Sequence, residues 1–262
     1  VTEADAIDLD ARAERLLAQR RPNRRDEPRL APQLAGAECR DVETGYGRVA
    51  AWRVGPGPAV LMVHGWDDDN SLWGPAIDAC AAAGRAAVVL DLPGHGFSEA
   101  PDPHYRVAAA AVAAVARELG PVDALMTHSY GGAVSVAAMA AGLAVDRAVL
   151  IAATVPRRMP GFDPAAMPAD ARAVHDRAAA IYEARTGRPM AVYDVEAAVP
   201  RLTARALFVH SADDEYPAEN ARRLAALWPG ADFEQVDGLG HRRVARDPAV
   251  LDRALRFLGT AR

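Results

Sequence analysis

Four short apolar runs, 59–63, 87–91, 124–128 and 148–153, are separated by alanine-rich stretches of helical character, and this alternation restricts the fold more than any other feature of the chain. Runs of this length are too short for helices, and each reads as a buried strand. Parallel neighbours in a sheet need a crossover between them, which the alanine-rich segments can form. The spacing therefore predicts a parallel sheet flanked by helices.

One of these strands ends in an unusual way. The run Ala124-Leu125-Met126 stops at Thr127-His128-Ser129-Tyr130-Gly131-Gly132, a serine among small residues, just before an alanine-rich helix. A strand that turns sharply into a helix holds such a serine hydroxyl out on a strained corner, and bulky side chains two positions away would collide. Gly131 meets that need; Thr127 stands where glycine is commonest. A capping serine ahead of the same helix is the bland alternative.

Further strand-to-loop junctions follow the same pattern. Ala59-Val60-Leu61-Met62-Val63 runs into His64-Gly65-Trp66, and 86–90 runs into Asp91-Leu92-Pro93-Gly94-His95-Gly96-Phe97-Ser98. Later, 206–209 leads into Ser211-Ala212-Asp213-Asp214-Glu215-Tyr216-Pro217, and 232–236 leads into Asp237-Gly238-Leu239-Gly240-His241. Serine, acid and histidine each follow a separate strand, in the order Ser, Asp, His. From about Ala37 to the C-terminus the chain resembles the α/β-hydrolase-fold proteins.

That resemblance implies an α/β-hydrolase fold: a mostly parallel eight-stranded sheet flanked by helices, with a small helical cap. Residues 1–36 are expected to hold an amphipathic helix over 2–20, opened by Thr2-x-x-Asp5, and an arginine- and proline-rich linker. The core is expected over 37–155 and 204–262, beginning with an antiparallel hairpin (37–43 and 47–54) around Thr44-Gly45-Tyr46-Gly47. Residues 156–203 lack a good strand, and the resemblance makes them the cap, with a helix over 168–185 that ends at Thr186-Gly187.

Composition excludes several other chemistries. The net charge of −5 gives no global basic field to attract nucleic acid or an anionic membrane. All 30 basic residues are arginine, so a lysine Schiff base, a Ser-Lys dyad and a P-loop lysine are ruled out. Cys39 and Cys80 form neither a CxxC pair nor a disulfide framework and read as ordinary buried thiols. No metal site or cofactor is implied. No apolar run approaches the ~20 residues of a membrane span, and the acidic start lacks the features of a signal peptide. The expectation is a cytoplasmic monomer or homodimer acting on a small molecule.

The chemistry needs a base near neutral pKa to take the serine proton, and a carboxylate to hold that base in one tautomer. Ser129 is the expected nucleophile and His241, in the glycine-containing loop after the last strand, the expected base. His128 adjoins Ser129, but neighbours at a sharp turn generally point apart; His64 and His95 sit in turns whose backbone matters more than their rings. For the acid, Asp213 and Asp214 compete. By family resemblance, counting three residues on from Ser211 gives Asp214, the expected acid, whereas aligning back from Pro217 gives Asp213. The resemblance also places backbone N–H donors for an oxyanion at Trp66 and Tyr130. Trp66, Tyr130, Met159, Phe162 and Tyr216 are candidate pocket residues. Asp91-x-Pro93-Gly94-His95-Gly96-x-Ser98 reads as a structural turn.

The reading that follows is a cofactor-free serine hydrolase, of the carboxylesterase type, cleaving small to medium apolar acyl esters through an acyl-enzyme. Carbon–carbon bond hydrolysis, thioester or lactone hydrolysis on the same triad, and a non-catalytic binding or signalling module, are the alternatives the family allows.

Overall fold

The computed structural model describes residues 3–19, 22, 27–154, 168–190 and 194–259. Eight strands form one sheet: β1 (Cys39–Glu43), β2 (Arg48–Val54), β3 (Ala59–Val63), β4 (Ala86–Leu90), β5 (Val122–His128), β6 (Arg147–Ile151), β7 (Arg205–Ser211) and β8 (Asp232–Val236), in the order β1-β2-β4-β3-β5-β6-β7-β8. The first two junctions, β1 with β2 and β2 with β4, are antiparallel. All the others are parallel. Every residue of β3 and β4 is buried, which is why these segments read as unbroken apolar runs and not as alternating ones.

The helices are α1 (Glu3–Gln19), α2 (Gly74–Ala82), α3 (Tyr105–Leu119), α4 (Tyr130–Ala140), α5 (Ala169–Thr186), α6 (Val195–Ala198), α7 (Glu219–Leu227), α8 (Gly240–Arg243) and α9 (Pro248–Leu258). The apolar face of α9, with Val250, Leu251, Ala254, Leu255 and Leu258 buried, shares one core cluster with Met62, Met126, Val149 and Val209 of the central strands. Asp247 caps this helix through the N–H groups of Ala249 and Val250.

The register explains where a site can form. Val63 lies level with Thr127, Thr127 with Leu150, Leu150 with Phe208 and Phe208 with Phe233. The parallel strands therefore end together, and the loops after β3, β5, β6, β7 and β8 emerge at one edge. In an open parallel sheet this carboxyl edge is where ligands are handled.

Compactness divides the described chain into two units: α1 and α5 form one, and the sheet with the remaining helices forms the other. The expected division at 36, 156 and 203 is drawn differently here. The N-terminal helix belongs with α5, and α6 and the turn after it, within the expected cap, belong with the sheet. Inside the smaller unit, Arg177 bonds Asp10 (Nη2–Oδ2 2.8 Å), Arg185 bonds Glu14 (Nη1–Oε2 3.0 Å) and Arg12 reaches Asp170 at 3.5 Å. Such exposed pairs add little to stability. Their value is in fixing which residues of the two helices face one another.

Two further expectations need correction. Cys39 is exposed, because its strand is the sheet edge; Cys80 is buried as expected. The His64 ring is more than turn filler: its Nδ1–H donates to the Gly65 carbonyl (2.7 Å) and its Nε2 accepts from the Leu92 N–H (2.9 Å), joining the loops after β3 and β4. Burial holds this imidazole well below its ordinary pKa, with neighbouring His95 acting the same way, so it stays neutral and can accept.

Candidate active site

The corner after β5 is strained where a nucleophile would be. Ser129 has φ +51°, a conformation that non-glycine residues rarely adopt, and α4 starts at the next residue. Gly131 is required here: a Cβ on it would lie 2.3 Å from the Val63 carbonyl oxygen and 2.5 Å from that of His64. Thr127 stays within the strand, and its hydroxyl donates to the Val149 carbonyl of β6 at 3.3 Å. The corner thus accommodates a threonine in a position where glycine was the expected residue.

Ser129, His241 and Asp214 come together at the carboxyl edge. The Ser129 hydroxyl lies 3.0 Å from His241 Nε2. His241 Nδ1 faces both Asp214 oxygens, at 2.9 and 3.1 Å. A neutral ring that donates from Nδ1 to a carboxylate has its lone pair on Nε2, toward the serine. The Asp214 side chain is almost fully buried. Burial pushes its pKa up, but hydrogen bonds from the His241 ring and the Tyr216 N–H (2.8 Å) outweigh that and hold it below the usual carboxylate range. It is therefore ionised at neutral pH.

Asp213 lies one residue away and has a different task. Its exposed carboxylate accepts from the Ser211 hydroxyl and, at 3.1 Å, from the Gly240 N–H. Ser211 Oγ in turn accepts from Leu239 and Gly240 N–H groups, both at 3.1 Å. Of the two aspartates, Asp214 reaches the imidazole and Asp213 ties down the loop that carries it.

The loop after β3 closes on the same corner. A Cβ on Gly65 would stand 3.0 Å from Ser129 Cβ and 3.0 Å from His128 Nδ1, so glycine lets the two loops meet. The rings of Trp66 and Tyr130 pack edge to face with centroids 5.2 Å apart. Tyr130 also contacts Tyr105 at 4.7 Å and donates its hydroxyl proton to the Pro103 carbonyl. The two residues expected to present backbone donors are thus neighbours. Tyr216 is exposed, and its ring lies 4.7 Å from that of His241. Met159 and Phe162, the remaining pocket candidates, lie outside the described residues.

The Asp91 turn is structural, as its sequence suggested. The buried carboxylate of Asp91 accepts from Asn70 N–H (2.6 Å) and Phe97 N–H (2.8 Å), while Asn70 Oδ1 accepts from Ala31 N–H (2.8 Å). Burial pushes the Asp91 pKa to about 6 despite these bonds. Gly96 is needed because any Cβ there would overlap the Asp91 carboxylate.

Three groups near the site were not foreseen in their roles. Thr154, after β6, places its hydroxyl 3.4 Å from Ser129 Oγ, beyond a turn in which Ala152 has φ +47°. His210 Nε2–H donates to the Tyr216 carbonyl at 2.9 Å and lies 3.4 Å from Asp214 Oδ2. His128 does point away from the serine, but its Nε2–H donates to the His241 carbonyl at 2.9 Å. Nothing in the sequence flagged Thr154, because a threonine after a strand has no distinguishing pattern. Among the described residues no group of three or more His, Cys, Asp and Glu side chains is arranged to hold a metal ion, and no helix is long and apolar enough to cross a membrane.

Comparison with known proteins agrees with this architecture. Residues 60–254 match the model of the alpha/beta hydrolase family. A pimeloyl-[acyl-carrier protein] methyl ester esterase of Xanthomonas campestris is 34% identical over 110 residues, 42% of this chain and 42% of that protein. The chain thus aligns with less than half the length of such curated relatives. Among solved structures, an esterase from Rhodococcus superposes with a TM-score of 0.66 (23% identity, 86% of this chain and 99% of that one). A carboxylesterase from Bacillus subtilis does so with a TM-score of 0.63 (19% identity, 96% and 98%). At such identities the structural likeness carries the fold alone. The family match covers most of the chain, and the chain belongs to the alpha/beta hydrolase family.

Proposed function

We propose that the protein is a serine hydrolase that needs no cofactor and cleaves carboxylic esters with small to medium apolar acyl groups. The observation that carries this reading is the continuous path Asp214–His241–Ser129, with 2.9 Å and 3.0 Å contacts on the two sides of one imidazole. In the reaction, His241 Nε2 takes the Ser129 proton as Oγ attacks the ester carbonyl carbon. Asp214 offsets the positive charge that forms on the ring. The carbonyl oxygen becomes an oxyanion facing the backbone N–H groups of Trp66 and Tyr130, each donor being worth about 3 to 4 kcal/mol in the transition state. His241 then returns the proton to the leaving alcohol oxygen, and an acyl-Ser129 ester remains. Water attacks that ester with His241 again as base, releasing the acid and restoring Ser129.

Ester is favoured over thioester, lactone or carbon–carbon substrates by what the Xanthomonas relative's name says it cleaves. The aromatic rings of Trp66, Tyr130 and Tyr216 around the serine and histidine favour an apolar substrate. Hydrolysis of p-nitrophenyl acetate and butyrate tests the reading. Turnover by the wild type that disappears in Ser129→Ala is expected; turnover that survives the substitution would remove Ser129 from the mechanism.

A further inference from the structure

We propose that His128 is a positioning residue which, with Asp68 and Arg242, holds two consecutive residues of the His241 loop, one by its carbonyl and one by its side chain, and so sets the reach of the base to Ser129. This rests on the hydrolase reading above.

The argument begins with α8, a helix of a single turn. In so short a helix the carbonyls largely lack intrahelical donors. The carbonyl of His241 is met instead by Nε2–H of His128, at 2.9 Å, from the residue directly before the nucleophile. The next residue, Arg242, is held as well: its guanidinium pairs with Asp68 Oδ1. Asp68 is buried in the loop after β3, and its other oxygen lies 3.5 Å from His128 Nδ1. His128 thus holds the His241 carbonyl and Asp68 holds the Arg242 guanidinium, so groups after β3 and at the end of β5 restrain consecutive residues of the loop after β8.

The His128 side chain is all but fully buried, and its ring centroid lies 4.9 Å from that of His241. Burial, with the nearby His241 ring, lowers its pKa to about 4. At neutral pH it is therefore a neutral ring whose proton sits on Nε2, where the carbonyl holds it. A neutral donor restrains the base without placing a second cation beside it. Other ties in this loop, from Ser211 and Asp213 to the Gly240 N–H and from Arg243 to the Gly238 and Leu239 carbonyls, hold backbone groups that precede His241. The His128 and Arg242 contacts restrain His241 itself and the residue after it.

The test compares His128→Leu, which removes the donor, with His128→Gln, whose amide nitrogen can take the place of Nε2–H, and with Arg242→Met, which removes the guanidinium that pairs with Asp68. For p-nitrophenyl butyrate, His128→Leu is expected to lower kcat by about 10- to 100-fold, as a misplacement of up to ~1 Å does, with KM within about twofold. His128→Gln should recover kcat to within about threefold of wild type. Hydrogen exchange of amides 238–244 should quicken in His128→Leu and Arg242→Met and return to the wild-type rate in His128→Gln. Unchanged exchange in both His128→Leu and Arg242→Met, or equal loss of kcat in the Leu and Gln variants, would overturn the proposal. If His128→Leu does not fold, Arg242→Met decides by exchange alone. Exchange is read without turnover, so an inactive wild type would count against the hydrolase reading and leave the loop clamp still measured.

Discussion

Replacing each of the two adjacent aspartates in turn separates chemistry from loop anchoring within one dipeptide. In Asp214→Asn the shape is kept, but the carboxylate that faces His241 Nδ1 at 2.9 and 3.1 Å is lost. The imidazolium formed during attack then has no counter-charge. With charge centres ~4 Å apart in surroundings of effective dielectric ~20, that attraction is worth about 4 kcal/mol. This corresponds to about a thousandfold in rate. The amide can also donate to Nδ1 and so stabilise the wrong tautomer, which takes the expected loss of kcat to about 10³- to 10⁴-fold. Asp213→Asn keeps an acceptor oxygen for Gly240 N–H at an exposed position, so a loss of about fivefold at most is expected. Ester turnover and the rate of fluorophosphonate labelling should both follow this order, with thermal stability of the two variants close to wild type. A crippled Asp213→Asn beside a near-normal Asp214→Asn would refute the assignment and move the acid one residue upstream.

Three further outcomes are expected. Gly131→Ala should destabilise the fold by about 3 kcal/mol or more in denaturant titration, since its Cβ would press on two backbone carbonyls of the β3 end; a stability within error of wild type would contradict the packing described. Thr154→Val keeps the shape but removes the hydroxyl beside Ser129 Oγ, and labelling of Ser129 should slow by about two- to tenfold; an unchanged rate would mean that the hydroxyl does not act on the serine. His128 is neutral in the fold, with a pKa of about 4 against ~6.5 unfolded, so the unfolded chain binds the extra proton first. Its contribution is full above pH ~6.5 and is lost as pH falls toward 4, by up to about 3 kcal/mol. Asp91, raised to about 6, acts in the opposite sense, its ionisation costing stability as pH rises from ~4 to 6. The difference between wild type and His128→Gln cancels the Asp91 contribution; a difference independent of pH between 4 and 6.5 would be the contrary result.

The sheet and the serine corner could be read in advance because their causes are local. Continuous apolar runs follow from burial on both faces, and Gly131 is needed where two carbonyls crowd its Cα. Asp214 was legible only as one of a pair, because the choice turns on which carboxylate the chain aims inward at His241, and that is decided by the turn after Ser211. His128 was passed over because adjacent residues at a corner point apart. They do, but its ring reaches a carbonyl 113 positions later in the chain. The pairing of α1 with α5 rests on ion pairs between residues more than 150 positions apart, which periodicity within either helix does not encode. The exposure of Cys39 follows from its strand being the sheet edge, which the residues around it do not encode.

The central claim, that Ser129 is activated by His241, is tested most directly by intact-protein mass spectrometry after exposure to a fluorophosphonate probe. The wild type should gain a single adduct that maps to Ser129, with Ser129→Ala unlabelled and His241→Ala labelled at a rate near background. A folded wild type that stays unmodified, or an adduct that forms equally fast without His241, would contradict it.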